Sequence, residues 1–169
     1  MTRSALVALL ALGSLGLSAP AHAIAPADTI RSAGNFGIGV GGGTAVSGLS
    51  MKYLLSTDTS LQAVVGGAGY ANDDFGNTAI GVDLDFLLEL PTLTTIDGLF
   101  ELGWEAGLGA WTWIGDPFWL GVNGAAGIQF NFQPVPIDLV LEWRPAVRVV
   151  PDVGVELVDF GGHLRFYFQ

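Results

Sequence analysis

Gly161-Gly162-His163-Leu164-Arg165-Phe166-Tyr167-Phe168-Gln169 ends the chain, and its alternation decides how the rest is read. Gly162, Leu164, Phe166 and Phe168 fall on one side of an extended backbone, and His163, Arg165 and Tyr167 on the other. A strand of this kind has one apolar face and one face with charge and hydroxyl. An apolar stripe that ends in aromatics suits a strand whose outer face meets lipid and whose end lies at a membrane interface.

Working backward from this segment, the same period of two recurs. It is read over Asn35–Gly41, Gly48–Leu55, Leu61–Tyr70, Thr78–Glu89, Leu99–Trp111, Leu120–Phe132 and Ile137–Arg144, with the last segment reaching back to about Val158. Thr78–Glu89 is the clearest: Ile80, Val82, Leu84, Phe86 and Leu88 alternate with Gly81, Asp83, Asp85 and Glu89. In Leu61–Tyr70 the adjacent Val64 and Val65 blur the phase. Each segment is close to the ~9–11 residues with which a tilted strand crosses a bilayer. Eight antiparallel strands are an even number, and lipid offers no partner to an edge strand, so the sheet must close. The expected fold is all-β, an eight-stranded antiparallel up-and-down transmembrane barrel.

The other end of the chain agrees. Met1-Thr2-Arg3 carries a charge, Ala5 to Ala19 is apolar or small, and Ala21-His22-Ala23 offers a small-x-small cleavage site. This is the order of a secretory signal peptide, and the apolar run is shorter than the ~20 residues a spanning helix needs. The domain reading is 1–23 signal peptide, 24–34 N-terminal periplasmic lead and 35–169 barrel. The chain is 50% apolar, yet a second long apolar run is missing, because glycine and polar residues divide it finely. The net charge of −10 argues against nucleic acid and anionic lipid as electrostatic partners. There is no cysteine, so neither a disulfide nor thiol chemistry enters.

If the N-terminus starts in the periplasm, Ser56–Ser60, Leu90–Gly98 and Gln133–Pro136 become periplasmic turns. Gly42–Ser47, Ala71–Asn77, Thr112–Trp119 and Pro145–Leu157 become outer loops, on average the longer set, as such barrels prefer. Aromatics gather near strand ends: Phe36, Tyr53, Phe86, Phe100, Phe130, Phe132, Phe166 and Phe168 at one level, Trp111, Trp113, Trp119, Trp143 and Phe160 at the other. Two belts suit two membrane interfaces.

With these strands, the signal segment and the Leu164-Arg165-Phe166-Tyr167-Phe168 end, the chain resembles the small eight-stranded outer-membrane β-barrel proteins, the superfamily of the OmpA transmembrane domain, OmpX and the opacity-type proteins. The resemblance covers essentially all of the chain after Ala23. It implies the outer membrane of a Gram-negative-type bacterium, a monomer, and lipid and lipopolysaccharide as surroundings. It also implies delivery by periplasmic chaperones and an assembly signal, read by the barrel assembly machinery, at Leu164, Phe166 and Phe168. Gln169 departs from the pattern, since the final aromatic is penultimate. The resemblance is specific for architecture and not for activity.

Lipid on the apolar side puts the polar side chains in the lumen: Lys52, Asp83, Asp85, Glu89, Glu101, Glu105, Asn123, Gln129, Asp138, Glu142, Arg144, His163 and Arg165. An eight-stranded barrel is just wide enough to be filled by side chains, and buried charges need partners. The expectation is a network joining Lys52, Arg144 and Arg165, with His163 hydrogen-bonded into it, to some of Asp83, Asp85, Glu101, Glu105 and Glu142. Acids outnumber cations, so either some carboxylates hold protons or water and cations enter.

Other motifs point to chemistry and fall short. Gly37-Ile38-Gly39-Val40-Gly41-Gly42 has the glycine spacing of a dinucleotide loop, but no helix can follow it. His163 is the one histidine beyond the signal segment, with no serine near it in sequence, so a triad would need distant residues to meet, and a zinc site lacks ligands. Asp73 and Asp74, in a loop rich in oxygen ligands, suit a solvated turn or a divalent ion near lipopolysaccharide. Trp113, Phe118 and Trp119 suit either a belt or an interaction surface in an outer loop. No cofactor, catalytic residue or metal ligand set is expected. The functional expectation is a non-enzymatic membrane barrel, structural or acting through its outer loops. The alternatives are a narrow cation-preferring channel and a soluble periplasmic lipocalin-like carrier, whose facing would be the reverse.

Overall fold

The computed structural model describes residues 30–43, 45–68 and 79–168, and all regular elements among them are strands. In chain order these are β1 (Phe36–Gly42), β2 (Val46–Leu54), β3 (Thr59–Ala68), β4 (Ala79–Ile96), β5 (Phe100–Ile114), β6 (Trp119–Phe132), β7 (Ile137–Trp143), β8 (Ala146–Val150), β9 (Gly154–Glu156) and β10 (Phe160–Phe168). The segments expected at 1–23 and 71–77, with Asp73 and Asp74, lie outside the described residues, as does Gln169.

Strands β1 to β7 pair antiparallel in sequence, and β10 returns between β7 and β1. Phe36 faces Phe168 and Gly42 faces Gly162 across that seam, so the C-terminal strand removes the sheet's edges and closes an eight-stranded barrel. Stepping from partner to partner around the wall returns to β1 about ten residues away, a stagger that tilts the strands by ~40°.

Three connections are shorter than the sequence suggested. Most of Pro145–Leu157 is a hairpin of β8 and β9 rather than a free loop. Strand β8 continues the line of β7 along β6: Trp143 faces Ala126, and Ala146 faces Asn123. The break falls at Arg144 and Pro145, where proline has no N–H to give the ladder. The backbone groups there are used otherwise: Arg144 N–H bonds Asp159 O at 2.8 Å, and Gly124 N–H bonds Pro145 O at 2.8 Å. Leu90–Gly98 is likewise mostly strand. Strand β4 runs on to Ile96, with its register interrupted between Leu90 and Thr94 around Pro91, and the turn needs Gly98 at φ +72°. In Thr112–Trp119, β5 extends to Ile114 and β6 begins at Trp119.

Along the long strands the outward residues are mostly apolar and the inward ones mostly polar, with Leu54, Val64, Leu87, Trp111, Trp113 and Val140 as inward apolar residues. Leu84, Phe86, Leu108, Val122, Ile128, Leu141, Leu164, Phe166 and Phe168 are exposed. Ser50, Lys52, Ser60, Gln62, Asp85, Glu105, Gln129, Asp138, Glu142, His163 and Arg165 are 2% exposed or less. The unclear phase of β3 resolves with Val64 inside and Val65 outside.

The interior is crowded because large inward side chains lie over glycines of the adjoining strand. Gly37 faces Tyr167, Gly41 faces His163, Asp85 faces Gly109, Trp111 faces Gly121 and Gly127 faces Glu142. A β-carbon on Gly37 would stand 2.7 Å from the Tyr167 ring, and one on Gly127 would stand 2.9 Å from Glu142 Cγ. The glycines therefore supply the volume into which the lumen groups fold.

Candidate functional site: the closed lumen

The lumen has three layers, each built by the strand alternation. At the end where β1 begins and β10 finishes, the chain before β1 turns inward. Ile30 is buried against Leu54 and Tyr167. Gly34 N–H bonds Leu54 O at 2.8 Å, and Asn35 Nδ2 donates to Ile30 O at 3.1 Å. Arg31 then crosses toward β4 and β5, donating to Leu90 O at 2.6 Å, with Glu101 at 3.6 Å and Glu89 at 3.7 Å. From Ile30 onward, the segment expected at 24–34 as an N-terminal lead folds over this mouth.

The middle layer holds the charges. Lys52 Nζ lies 2.5 Å from Glu105 and 2.6 Å from Glu89. Ser60 donates to Glu89 at 2.5 Å, and Gln129 donates to both Glu89 and Glu105. Arg165 reaches Asp138 at 2.8 Å and donates to Gln62 Oε1 at 2.5 Å, while Tyr167 Oη donates to Asp138 at 2.8 Å. Arg144 gathers three carboxylates, Asp83 at 2.6 Å, Asp85 at 2.9 Å and Glu142 at 2.5 Å. Gln62 joins the groups by donating to Glu142 at 2.9 Å and Asp85 at 3.3 Å. Such pairs sit where water is scarce, so each charge depends on the partners named here.

Compared with the sequence expectation, Lys52, Arg144, Arg165, His163, Asp83, Asp85, Glu105 and Glu142 meet in this layer. Glu101 does not. It stays at the rim with Arg31 and Thr92, because β5 carries it two positions below Gly103 and four below the lumen-filling Glu105. Arg165 takes Asp138, directly opposite in the register, rather than one of the five acids named for it. Ser50, Ser60 and Gln62 were missed. Their inward phase on β2 and β3 was legible at Ser50, but uncharged side chains gave no signal of a network. Acids exceed cations here, and Asp83 Oδ1 and Glu105 Oε1 are buried without a hydrogen-bond partner among the described residues.

The fold does bring a serine to His163. Ser50 Oγ and His163 Nδ1 are 2.9 Å apart, and His163 Nε2 lies 3.2 Å from Glu142. A neutral ring with its proton on Nε2 satisfies both contacts, donating to Glu142 and accepting from Ser50. The geometry has the hydrogen bonds of a nucleophile, base and orienting acid. It lacks access: Ser50 has no exposed surface, and Glu142 is already held by Arg144 and Gln62.

The third layer closes the far end. Trp111 and Trp113 point into the barrel at 3% and 5% exposure and pack with Ala45, Val46 and Val64. Trp113 Nε1 donates to Ala45 O at 2.7 Å, and its ring stacks on Trp119 at 4.5 Å. Arg148 of β8 lies 4.3 Å over the Trp119 ring. The expected belt or outer-loop surface at Trp111, Trp113 and Trp119 is therefore corrected to an internal lid, with Trp119 partly buried. The reason is phase: Glu105, Gly107 and Gly109 point inward on β5, and the same alternation carries Trp111 and Trp113 inward. Phe118, by contrast, is exposed in the turn, and Trp143 and Phe160 face outward as expected.

No family model, curated protein or solved structure matches the chain.

Proposed function

We propose that this protein is a non-enzymatic outer-membrane barrel, held in one shape by a filled lumen and serving the envelope structurally or through its outer loops. The observation that carries the reading is the facing of the closed wall. A barrel in water gains by hiding its aliphatic face and exposing its charges, and a carrier of lipophilic ligands needs an apolar interior. Here aliphatic and aromatic residues cover the outside, and the middle of the lumen is filled by carboxylates, guanidinia, amides and hydroxyls, with apolar clusters confined mainly to its two ends. Hydrocarbon is the solvent in which that arrangement is stable. Closure alone is equally compatible with a soluble carrier, and the facing is what favours the membrane reading.

Signal cleavage near Ala23, periplasmic chaperones and the assembly machinery reading Leu164, Phe166 and Phe168 belong to the same proposal, as do lipid and lipopolysaccharide as neighbours and a monomeric state. The test is extraction. The mature chain should need detergent and migrate differently on a gel before and after boiling. A mature protein that is soluble and monomeric without detergent would return the carrier reading and sink this one. Planar-bilayer recordings separate the channel alternative: the lid and the paired charges predict no steady conductance in several salts, and cation-selective currents would favour a conduit.

A further inference from the structure

The apolar outer face has two heights. On β6 the outward stripe runs from Leu120 to Phe132, and along β7 and β8 it runs from Ile137 to Val149. With ~3.3 Å per residue and a tilt of ~40°, each residue adds ~2.5 Å of height, so these stripes stand ~30 Å tall. On β2 the outward apolar residues are Leu49, Met51, Tyr53 and, just past it, Leu55, and on β1 they are Phe36, Ile38 and Val40. By the same rise these stripes are only ~15 Å and ~10 Å tall. The described part of β3, from Leu61 to Val65, is no taller. The lipid-facing band of an outer-membrane barrel is ~25 Å.

Among the described residues, what stands above the low stripes is polar or bare backbone. Gly42 adopts φ +130° to enter the turn, Gly43 N–H bonds Val46 O at 3.0 Å, and the exposed Ser47 donates its hydroxyl to Gly43 O at 2.8 Å. The two arcs share their lower rim, since Phe36 faces Phe168 at the seam and Phe132 faces Ile137. The difference therefore lies at the upper rim. Tilting the whole barrel raises one arc and lowers the opposite one, but it changes neither height.

On the reading that the barrel spans a bilayer, we propose that the arc of β1, β2 and β3 meets a locally thinned phospholipid bilayer, whose hydrocarbon ends near Val40, Leu49 and Val65 and whose headgroups reach Ser47. Lipid adapts to a short apolar span by thinning at modest cost, whereas polar backbone in hydrocarbon costs more. The tall arc of β4 to β8 meets a bilayer of ordinary thickness. The barrel thus faces its membrane asymmetrically, and lipids beside the low arc are shortened.

The chain has no cysteine, so single-cysteine spin labelling reads this directly. Val82 and Val122 point outward at about the same height as Ser47, ~20 Å above Phe36 by the same rise per residue. Ser47→Cys, Val82→Cys and Val122→Cys would be labelled in protein folded into dioleoylphosphatidylcholine vesicles and probed with oxygen and a nickel chelate. The expected result is oxygen preference at 82 and 122 and a several-fold nickel preference at 47. Oxygen preference at all three positions overturns the thinning and leaves the membrane reading intact. Shielding of position 47 from both reagents overturns it in favour of a covering protein, such as a second copy. Nickel access at all three means that the membrane reading itself has failed. If Ser47→Cys does not fold, Gly67→Cys replaces it: Gly67 pairs with Ser47, points outward, and a β-carbon there meets nothing nearer than Ser47 O at 4.0 Å.

Discussion

Replacing Arg165 by methionine tests the account of the lumen most directly. Arg165 is 1% exposed and binds Asp138 through Nε at 3.1 Å and Nη2 at 2.8 Å, with Nη1 donating to Gln62. Methionine fills much of the same volume, so the change removes charge and donors more than packing. Asp138 keeps the Tyr167 hydroxyl and loses its cation, while Gln62 Oε1 loses its donor. Stranding one member of a buried pair costs ~3–5 kcal/mol. With a urea m-value of ~2 kcal/mol/M, a loss of ~4 kcal/mol lowers the unfolding midpoint by ~2 M. The assay is reversible urea unfolding from vesicles, followed by tryptophan fluorescence and by gel migration without boiling. Arg165→Met/Asp138→Asn, which no longer strands a full charge, should recover ~1–3 kcal/mol relative to the single variant. A single-variant midpoint within ~0.3 M of the parent, or a double variant no better than the single, refutes the claim that this pair is held without water's help.

Four further outcomes follow from the same geometry. Gly121→Leu should lower stability by ~1–3 kcal/mol or prevent folding, because its β-carbon would sit 2.5 Å from the Trp111 ring, while Gly103→Ala, with Arg31 at 3.4 Å, should be tolerated in the same urea assay. Trp113→Ala removes the donor to Ala45 and half of the stack on Trp119, and thermal unfolding in detergent should register ~3–5 kcal/mol. Ser50→Ala should cost ~0.5–1.5 kcal/mol for its hydrogen bond to His163 and leave ester hydrolysis at the background of the parent protein, and a hydrolytic rate that disappears with the hydroxyl would revive the triad. Phe168→Ser with Phe166→Ser should reduce the heat-modifiable fraction in cell membranes far more than it reduces folding into vesicles from urea, since the proposed defect lies in assembly rather than in the finished wall.

The C-terminal stretch, read by itself, determined much of the architecture. Leu164, Phe166 and Phe168 against His163, Arg165 and Tyr167 is a local pattern, because a strand's two faces depend only on odd and even positions. Continued through Ile80–Glu89 and Leu120–Phe132, the same rule was enough for the number of strands, the inward acids and the seam between β1 and β10. The rule is also enough for Trp111 and Trp113, which share the inward phase of Glu105, Gly107 and Gly109 on β5. What the one-dimensional pattern does not carry is register. Alternation says that Arg165, Asp138 and Gln62 all face inward; only the stagger of the closed sheet decides that Arg165 lands on Asp138 and Lys52 on Glu105 and Glu89. The same holds for Ser50 meeting His163 from 113 positions away, for Ile30 and Arg31 folding back over the mouth, and for a wall that is low at β1 and β2 and tall at β6. Those contacts depend on tilt and closure, which are properties of the whole barrel, and no segment of the chain holds them by itself.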